Sequence, residues 1–197
     1  KLRDPKAKVS SHYYIKNNGE IINFIPDLYE AWHAGKSNWR NYTSLNKNSI
    51  GVEITNPGHE HGYRNFNNKQ IKSLKLLLIY LTKKYKINKK CILGHSDISP
   101  DRKKDPGEKF PWRLLAKRKL CLWHNIKTQK LKKLRGIKVN TENEKLEFLK
   151  NLKKIGYNPN IKNKSIIEAF QRRFRQKLVN GKIDKECLFI SKNLTIV

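Results

Sequence analysis

Apolar and polar positions change period several times along this chain, and each change marks an element. VSSHYYI, residues 9–15, is rich in β-branched and aromatic residues and predicts a strand. Asn18-Gly19 follows, then EIINFIP at 20–26. Asn-Gly between two apolar runs is the strongest short hairpin signal, so the second run is the returning strand. SIGVEIT, residues 49–55, predicts another strand, in which Glu53 points to the face opposite its neighbours Val52 and Ile54. From residue 67 to 87 the period becomes helical, with Ile71, Leu74, Leu78, Leu81 and Tyr85 on one stripe that should pack on the sheet. The run CIL at 91–93, entering a loop at Gly94, predicts a short buried strand with His95 at its C-terminal end. Open α/β sheets place their sites at such strand ends.

Two stretches between these elements carry no period. AWHAGKSNWRN, residues 31–41, and NPGHEHGYRNF, residues 56–66, read as loops, with His59 and His61 in a solvated part of the second. Pro111 opens a further helix to about Leu120, since proline is tolerated at a first helical turn. After Leu122 the pattern changes. Residues 123–140 are basic and poorly patterned, which makes them a connector. From Thr141 three short helices are expected. Thr141 with Glu144 and Ser165 with Glu168 have capping-box spacing, Asp184 begins the last helix, and Gly156 and Asn180-Gly181 are breaks. The fold class expected is α/β: a mixed central β-sheet flanked by helices over residues 1–122, then the connector, then a small three-helix domain over 141–197.

Composition bounds this picture. At 197 residues there is room for one full domain and a small second one, and the 37% hydrophobic content is low but sufficient. No apolar run reaches transmembrane length. The chain contains no methionine and starts without a signal-peptide apolar segment, as a processed or truncated product would. Its formal net charge is +28, and a chain this basic raises nucleic acid as a partner. The lysines are spread over the whole length among many asparagines and isoleucines, however, and no nucleic-acid motif accompanies them. A basic surface also attracts a carboxylate-bearing polymer at long range. Three cysteines, Cys91, Cys121 and Cys187, form neither a CxxC pair nor a disulfide framework. Cys91 is expected to be a small buried hydrophobe.

Candidate chemistry concentrates in a few residues. A glutamate in an apolar strand costs energy unless it is paired or used, which singles out Glu53. GHSDISPDRKKDPG, residues 94–107, sets His95 and Asp105 either side of a polar loop, with Lys103 two residues before the aspartate. An imidazole and a carboxylate suit zinc, whose catalytic sites use three protein ligands and one open position. The alternative is a surface loop in which Asp105 caps the backbone. Trp32 and His33 lie in the 31–41 loop, where they either present a sugar- or peptide-contacting surface or pin the loop to the core. His12 reads as a locally satisfied structural residue.

GHSDISPDRKKDPG followed by FPW at 110–112 resembles the signature of zinc-dependent N-acetylmuramoyl-L-alanine amidases of the peptidoglycan-recognition superfamily. Three further segments match in order: VSSHYYI, AWHAGKSNW at 31–39 and LNKNSIGVEI at 45–54, so that the resemblance spans residues 9 to about 120. It implies cleavage of the amide between muramic acid and the L-alanine of the peptide stem. It implies a zinc cofactor held by His95 and Asp105, with Glu53 as catalytic base, Lys103 stabilising the oxyanion, and Trp32 and His33 on the floor of the substrate groove. The family's first zinc ligand, a histidine ending an earlier strand, has no counterpart before Val9. His33 and then His12 are the internal substitutes. The expectation is therefore substoichiometric zinc and poor hydrolysis for these 197 residues, restored in a longer form. IGYNP, AFQRRF and NGKID in the last third resemble a three-helix peptidoglycan-binding domain. The expected partner is peptidoglycan or a muropeptide rather than nucleic acid, at the bacterial envelope, periplasmic or outer-membrane-associated, rather than in the cytoplasm. A non-catalytic peptidoglycan-binding protein is the alternative.

Overall fold

The computed structural model describes residues 9–197. The expected lead-in at residues 1–8 lies outside them. The described residues form two compact units, divided between residues 88 and 89.

The first unit is built on a three-stranded mixed sheet. Strand β1 (Tyr13–Ile15) pairs antiparallel with β2 (Ile21–Asn23) across the Asn18-Gly19 turn and parallel with β5 (Val52–Ile54). The loop between carries a small hairpin of β3 (Asn38–Trp39) and β4 (Tyr42–Thr43), which the sequence pattern did not signal. Helix α1 (Asn68–Lys84) opens with a reciprocal cap: the Gln70 amide donates to the Asn67 side chain and the Asn67 amide to that of Gln70. Its apolar stripe, Ile71, Leu74, Leu77, Leu78 and Leu81, is buried. The register pairs Tyr13 with Val52 and Ile15 with Ile54. Asp27 accepts hydrogen bonds from Tyr13 at 2.6 Å and from Tyr85, just past α1, at 2.7 Å, so the Tyr13 face of the sheet is the one turned to α1. Tyr14 and Glu53, also in register, therefore lie on the other face.

The second unit is helical. A single 3₁₀ turn (Lys89–Cys91) leads to the one-turn helix α2 (His95–Ile98), and α3 (Trp112–Ala116) follows. The expected strand at 91–93 does not form, and His95 opens a helix instead of ending a strand. Three residues are too few to hold an edge when their backbone groups are taken elsewhere. The Ile92 amide closes the turn onto the Lys89 carbonyl, and the Ile92 carbonyl accepts from Arg173. Cys91 is accordingly exposed rather than buried, while Cys121 and Cys187 are buried.

Helix α4 (Thr128–Leu134) lies within the stretch read as connector. The Arg135 guanidinium grips Glu186 at 2.6 and 2.7 Å, and the Lys185 amide donates to the Ile137 carbonyl. The three expected C-terminal helices are α5 (Glu142–Ile155), α6 (Asn163–Phe174) and α7 (Lys185–Leu194). Thr141 caps α5 and Asp184 caps α7. Ser165 lies inside α6, which starts at Asn163, so its expected capping role fails.

His124 should make this unit acid-sensitive. Burial and the nearby Arg113 charge push its imidazole down to about 4, and its Nδ1 is buried with no hydrogen-bond partner. The folded state thus binds fewer protons than the unfolded chain between the ordinary histidine value and about 4. Stability present above pH ~6.5 is lost as pH falls through that window, by up to ~3 kcal/mol, and changes no further from this residue below it. Urea denaturation from pH 7 to 4 should show this loss, and His124→Phe should flatten it.

Candidate active site

In the first unit His12, His33 and Glu53 lie on the sheet face away from α1. Both nitrogens of His12 are engaged. Nδ1 accepts from the Gly51 amide at 3.0 Å, and Nε2 lies 2.9 Å from the Tyr29 carbonyl, which fixes the proton on Nε2. His12 is 1% exposed, a structural residue as expected, with no nitrogen left to bind a metal.

His33 meets His12 edge-on, ring centres 5.6 Å apart, and its Nε2 lies 3.4 Å from the Ser49 carbonyl. The ring occupies the space over Gly51: a Cβ there would stand 2.2 Å from His33 Cγ. Alternation along β5 puts this position on the same face as Glu53 two residues on. Glycine at 51 is thus what lets His33 lie beside the strand that carries the glutamate. Gly51→Ala should force the ring away and destabilise the protein by ~1–3 kcal/mol, read as a lower midpoint in thermal denaturation. Trp32 is 51% exposed, while its backbone is anchored: its amide donates to Ser10 Oγ at 2.8 Å. A flat aromatic face held by its own backbone and open to solvent does not pin the loop to a core. Trp39, the other tryptophan of the loop, is buried and does the pinning.

In the second unit the fold brings His95 and Asp105 together, ten residues apart in sequence, with His95 Nδ1 3.1 Å from Asp105 Oδ2. The backbone sets this pairing, because the Ser96 amide donates to the Asp105 carbonyl at 2.8 Å. The Asp105 side chain is 59% exposed; the desolvation it suffers raises its pKa, but the hydrogen bond and charge of His95 outweigh this and hold the carboxyl below its usual range. Lys103 rides the same loop, its amide bonded to the Ser99 carbonyl at 2.9 Å. Gly94 admits the loop's return: a Cβ there would stand 2.6 Å from Pro106 Cδ and 3.2 Å from the Trp112 ring.

As donors, an imidazole nitrogen and a carboxylate oxygen in contact fit two positions of a zinc site. No group of three or more histidine, cysteine, aspartate or glutamate residues placed to hold a metal occurs among the described residues.

Asp97 is the residue that sequence reasoning missed. It is 1% exposed and is bonded by three donors. Its Oδ2 accepts from the Gly94 amide at 2.8 Å and from Arg173 Nη1 at 2.5 Å, and its Oδ1 accepts from the Tyr157 hydroxyl at 2.7 Å. Arg173 lies over the Trp112 ring at 4.2 Å. Burial opposes the Arg173 charge, but the Asp97 carboxylate outweighs it, and the guanidinium is held above its ordinary pKa.

In the first unit a strand-borne glutamate shares a sheet face with His12, and in the second unit a loop pairs an imidazole with a carboxylate. The family model of N-acetylmuramoyl-L-alanine amidase matches residues 2–108, and the chain belongs to that family. N-acetylmuramoyl-L-alanine amidase AmiD of Escherichia coli is 34% identical over 204 residues, which cover 95% of this chain and 74% of that protein. 1,6-anhydro-N-acetylmuramyl-L-alanine amidase AmpD of Haemophilus influenzae is 40% identical over 108 residues, 54% of this chain and 56% of that protein. Among solved structures, AmiD from E. coli in complex with the substrate anhydro-N-acetylmuramic acid-L-Ala-D-γ-Glu-L-Lys is similar over 98% of this chain and 80% of that one, with 33% identity and a TM-score of 0.84.

Proposed function

We propose that this protein hydrolyses the amide between N-acetylmuramic acid and L-alanine in anhydro-muropeptides or peptidoglycan, with zinc as cofactor. The observation that carries the reading is the His95–Asp105 contact, made inside the residues that match the amidase family. The likeness to a relative solved with an anhydro-muropeptide supports the substrate class.

His95 and Asp105 would hold the metal. When bound, zinc supplies a Lewis acid that lowers the pKa of a water toward neutrality. Glu53 takes the proton of the attacking water and delivers it to the alanine amine as the C–N bond breaks. The Lys103 ammonium offsets negative charge developing on the carbonyl oxygen. Trp32 offers an apolar face to the sugar or stem peptide, and His33 lies beside the strand that carries Glu53. With two protein donors in place the site should bind zinc weakly and require an excess of it.

The C-terminal helices are proposed to bind the wall polymer, and the protein to work at the bacterial envelope. What supports the wall contact is that the amidase AmiD matches over 95% of this chain, a span that takes in the C-terminal helices. No helix among the described residues is long and apolar enough to cross a membrane. Sedimentation of the full chain with purified peptidoglycan tests the wall contact. Release of the stem peptide from an anhydro-muropeptide in excess zinc, followed by mass spectrometry, tests the activity. Sedimentation without release would favour the non-catalytic binding protein.

A further inference from the structure

We propose that the C-terminal helices do more than bind a polymer: Arg173 of α6 and Tyr157, just beyond α5, are positioning residues that hold Asp97 and, through it, the loop bearing His95 and Asp105. The proposal rests on the reading of those two residues as the reacting centre.

The geometry supplies two routes from Arg173 to the pair. The first runs through one oxygen. Asp97 Oδ2 takes the Arg173 Nη1 bond at 2.5 Å and also the Gly94 amide at 2.8 Å. The second contact closes the turn of α2, whose first residue is His95, so any movement of the carboxylate moves the start of that helix. A helix of four residues has little cooperativity of its own and takes its orientation from such contacts. Within the turn the Ser96 amide holds the Asp105 carbonyl at 2.8 Å, which carries the same constraint to the second member of the pair. The second route runs through rings. Arg173 lies 4.2 Å over Trp112, and Trp112 and Pro106 both press on the place where Gly94 would carry a Cβ.

Arg173 is itself fixed from the far side. Nη2 donates to the Ile92 carbonyl at 2.9 Å, three residues before His95, so its two nitrogens bracket the entry to the site loop. Tyr157 contributes the third donor to Asp97; burial, with the Asp97 charge beside it, raises the pKa of its hydroxyl and keeps it protonated. A buried ion pair is a poor device for stability alone, because apolar residues of similar volume do as well. A carboxylate fixed by three directed bonds does what they cannot, and sets where a neighbouring backbone turn begins.

Arg173→Lys keeps the charge but cannot make both directed bonds, and Tyr157→Phe removes one hydroxyl. Both are to be compared with the unaltered full chain by far-ultraviolet circular dichroism, by the His95 imidazole signals in ¹H–¹⁵N spectra, and by kcat and KM for peptide release in excess zinc. Arg173→Lys should shift the His95 signals and lower kcat by about 10- to 100-fold with KM little changed, and Tyr157→Phe should do the same more weakly. Arg135→Lys, which weakens the separate pair with Glu186, should lower the melting temperature and leave the His95 signals in place. Helical content, His95 signals and kcat all unchanged in both test variants would overturn the proposal. Should Arg173→Lys fail to fold, Tyr157→Phe decides by the same readouts. If the unaltered chain releases no peptide, the activity reading falls, and the His95 signals still decide the positioning role.

Discussion

Replacing Glu53 by alanine should lower kcat for peptide release by on the order of a hundredfold or more, with the fold retained. The size follows from its task. Its carboxylate is the group proposed to take a proton from water and return it to the leaving amine, and no neighbouring residue on β5 offers a second base. Val52 and Ile54 face α1, away from Glu53. The fold should tolerate the change, because Glu53 lies on the opposite sheet face from the contacts that seat α1: the Tyr13–Asp27–Tyr85 cluster and the apolar stripe from Ile71 to Leu81. Circular dichroism together with a single-turnover assay separates the two effects. A rate equal to that of the unaltered chain would remove Glu53 from the chemistry.

The second large effect is on stability. Asp97→Ala should cost about 3–5 kcal/mol, because it strands the Arg173 charge in the interior. The two side chains are 1% and 2% exposed, so solvent offers little compensation. The same change leaves the Gly94 amide and the Tyr157 hydroxyl without their acceptor. Replacing both members of the pair, Asp97→Leu with Arg173→Met, removes the unpaired charge and should be less destabilising than Asp97→Ala. Urea denaturation of the three proteins measures the difference, and a double variant worse than the single would contradict this view of the pair.

Much of this was legible in the sequence because it depends on local pattern. Asn18-Gly19 announced the β1–β2 hairpin, the spacing of Ile71 to Leu81 announced α1, and alternation around Glu53 placed it on the face away from Val52 and Ile54. His95 and Asp105 were marked as a pair by motif, and the backbone bond from Ser96 to Asp105 is what realises it. Other features depend on partners far along the chain. Asp97 reads as one more polar residue in a polar loop, and Arg173 as one cation among 44 lysines and arginines, yet they meet across 76 positions. The strand expected at 91–93 failed for the same reason: the carbonyl it would have offered to a sheet is bonded to Arg173. The β3–β4 hairpin escaped notice because its strands are two residues long and its turn is made by Arg40 at φ 53° rather than by Asn-Gly.

The most direct test of the proposed zinc-dependent hydrolysis is to incubate the chain with anhydro-N-acetylmuramyl tripeptide in excess zinc, and in parallel with a chelator, and to identify the products by mass. Free tripeptide beginning with L-alanine and free anhydro-N-acetylmuramic acid should form with zinc, be absent with the chelator, and be lost in Glu53→Ala. Intact muropeptide bound to the protein after prolonged incubation with zinc would contradict it.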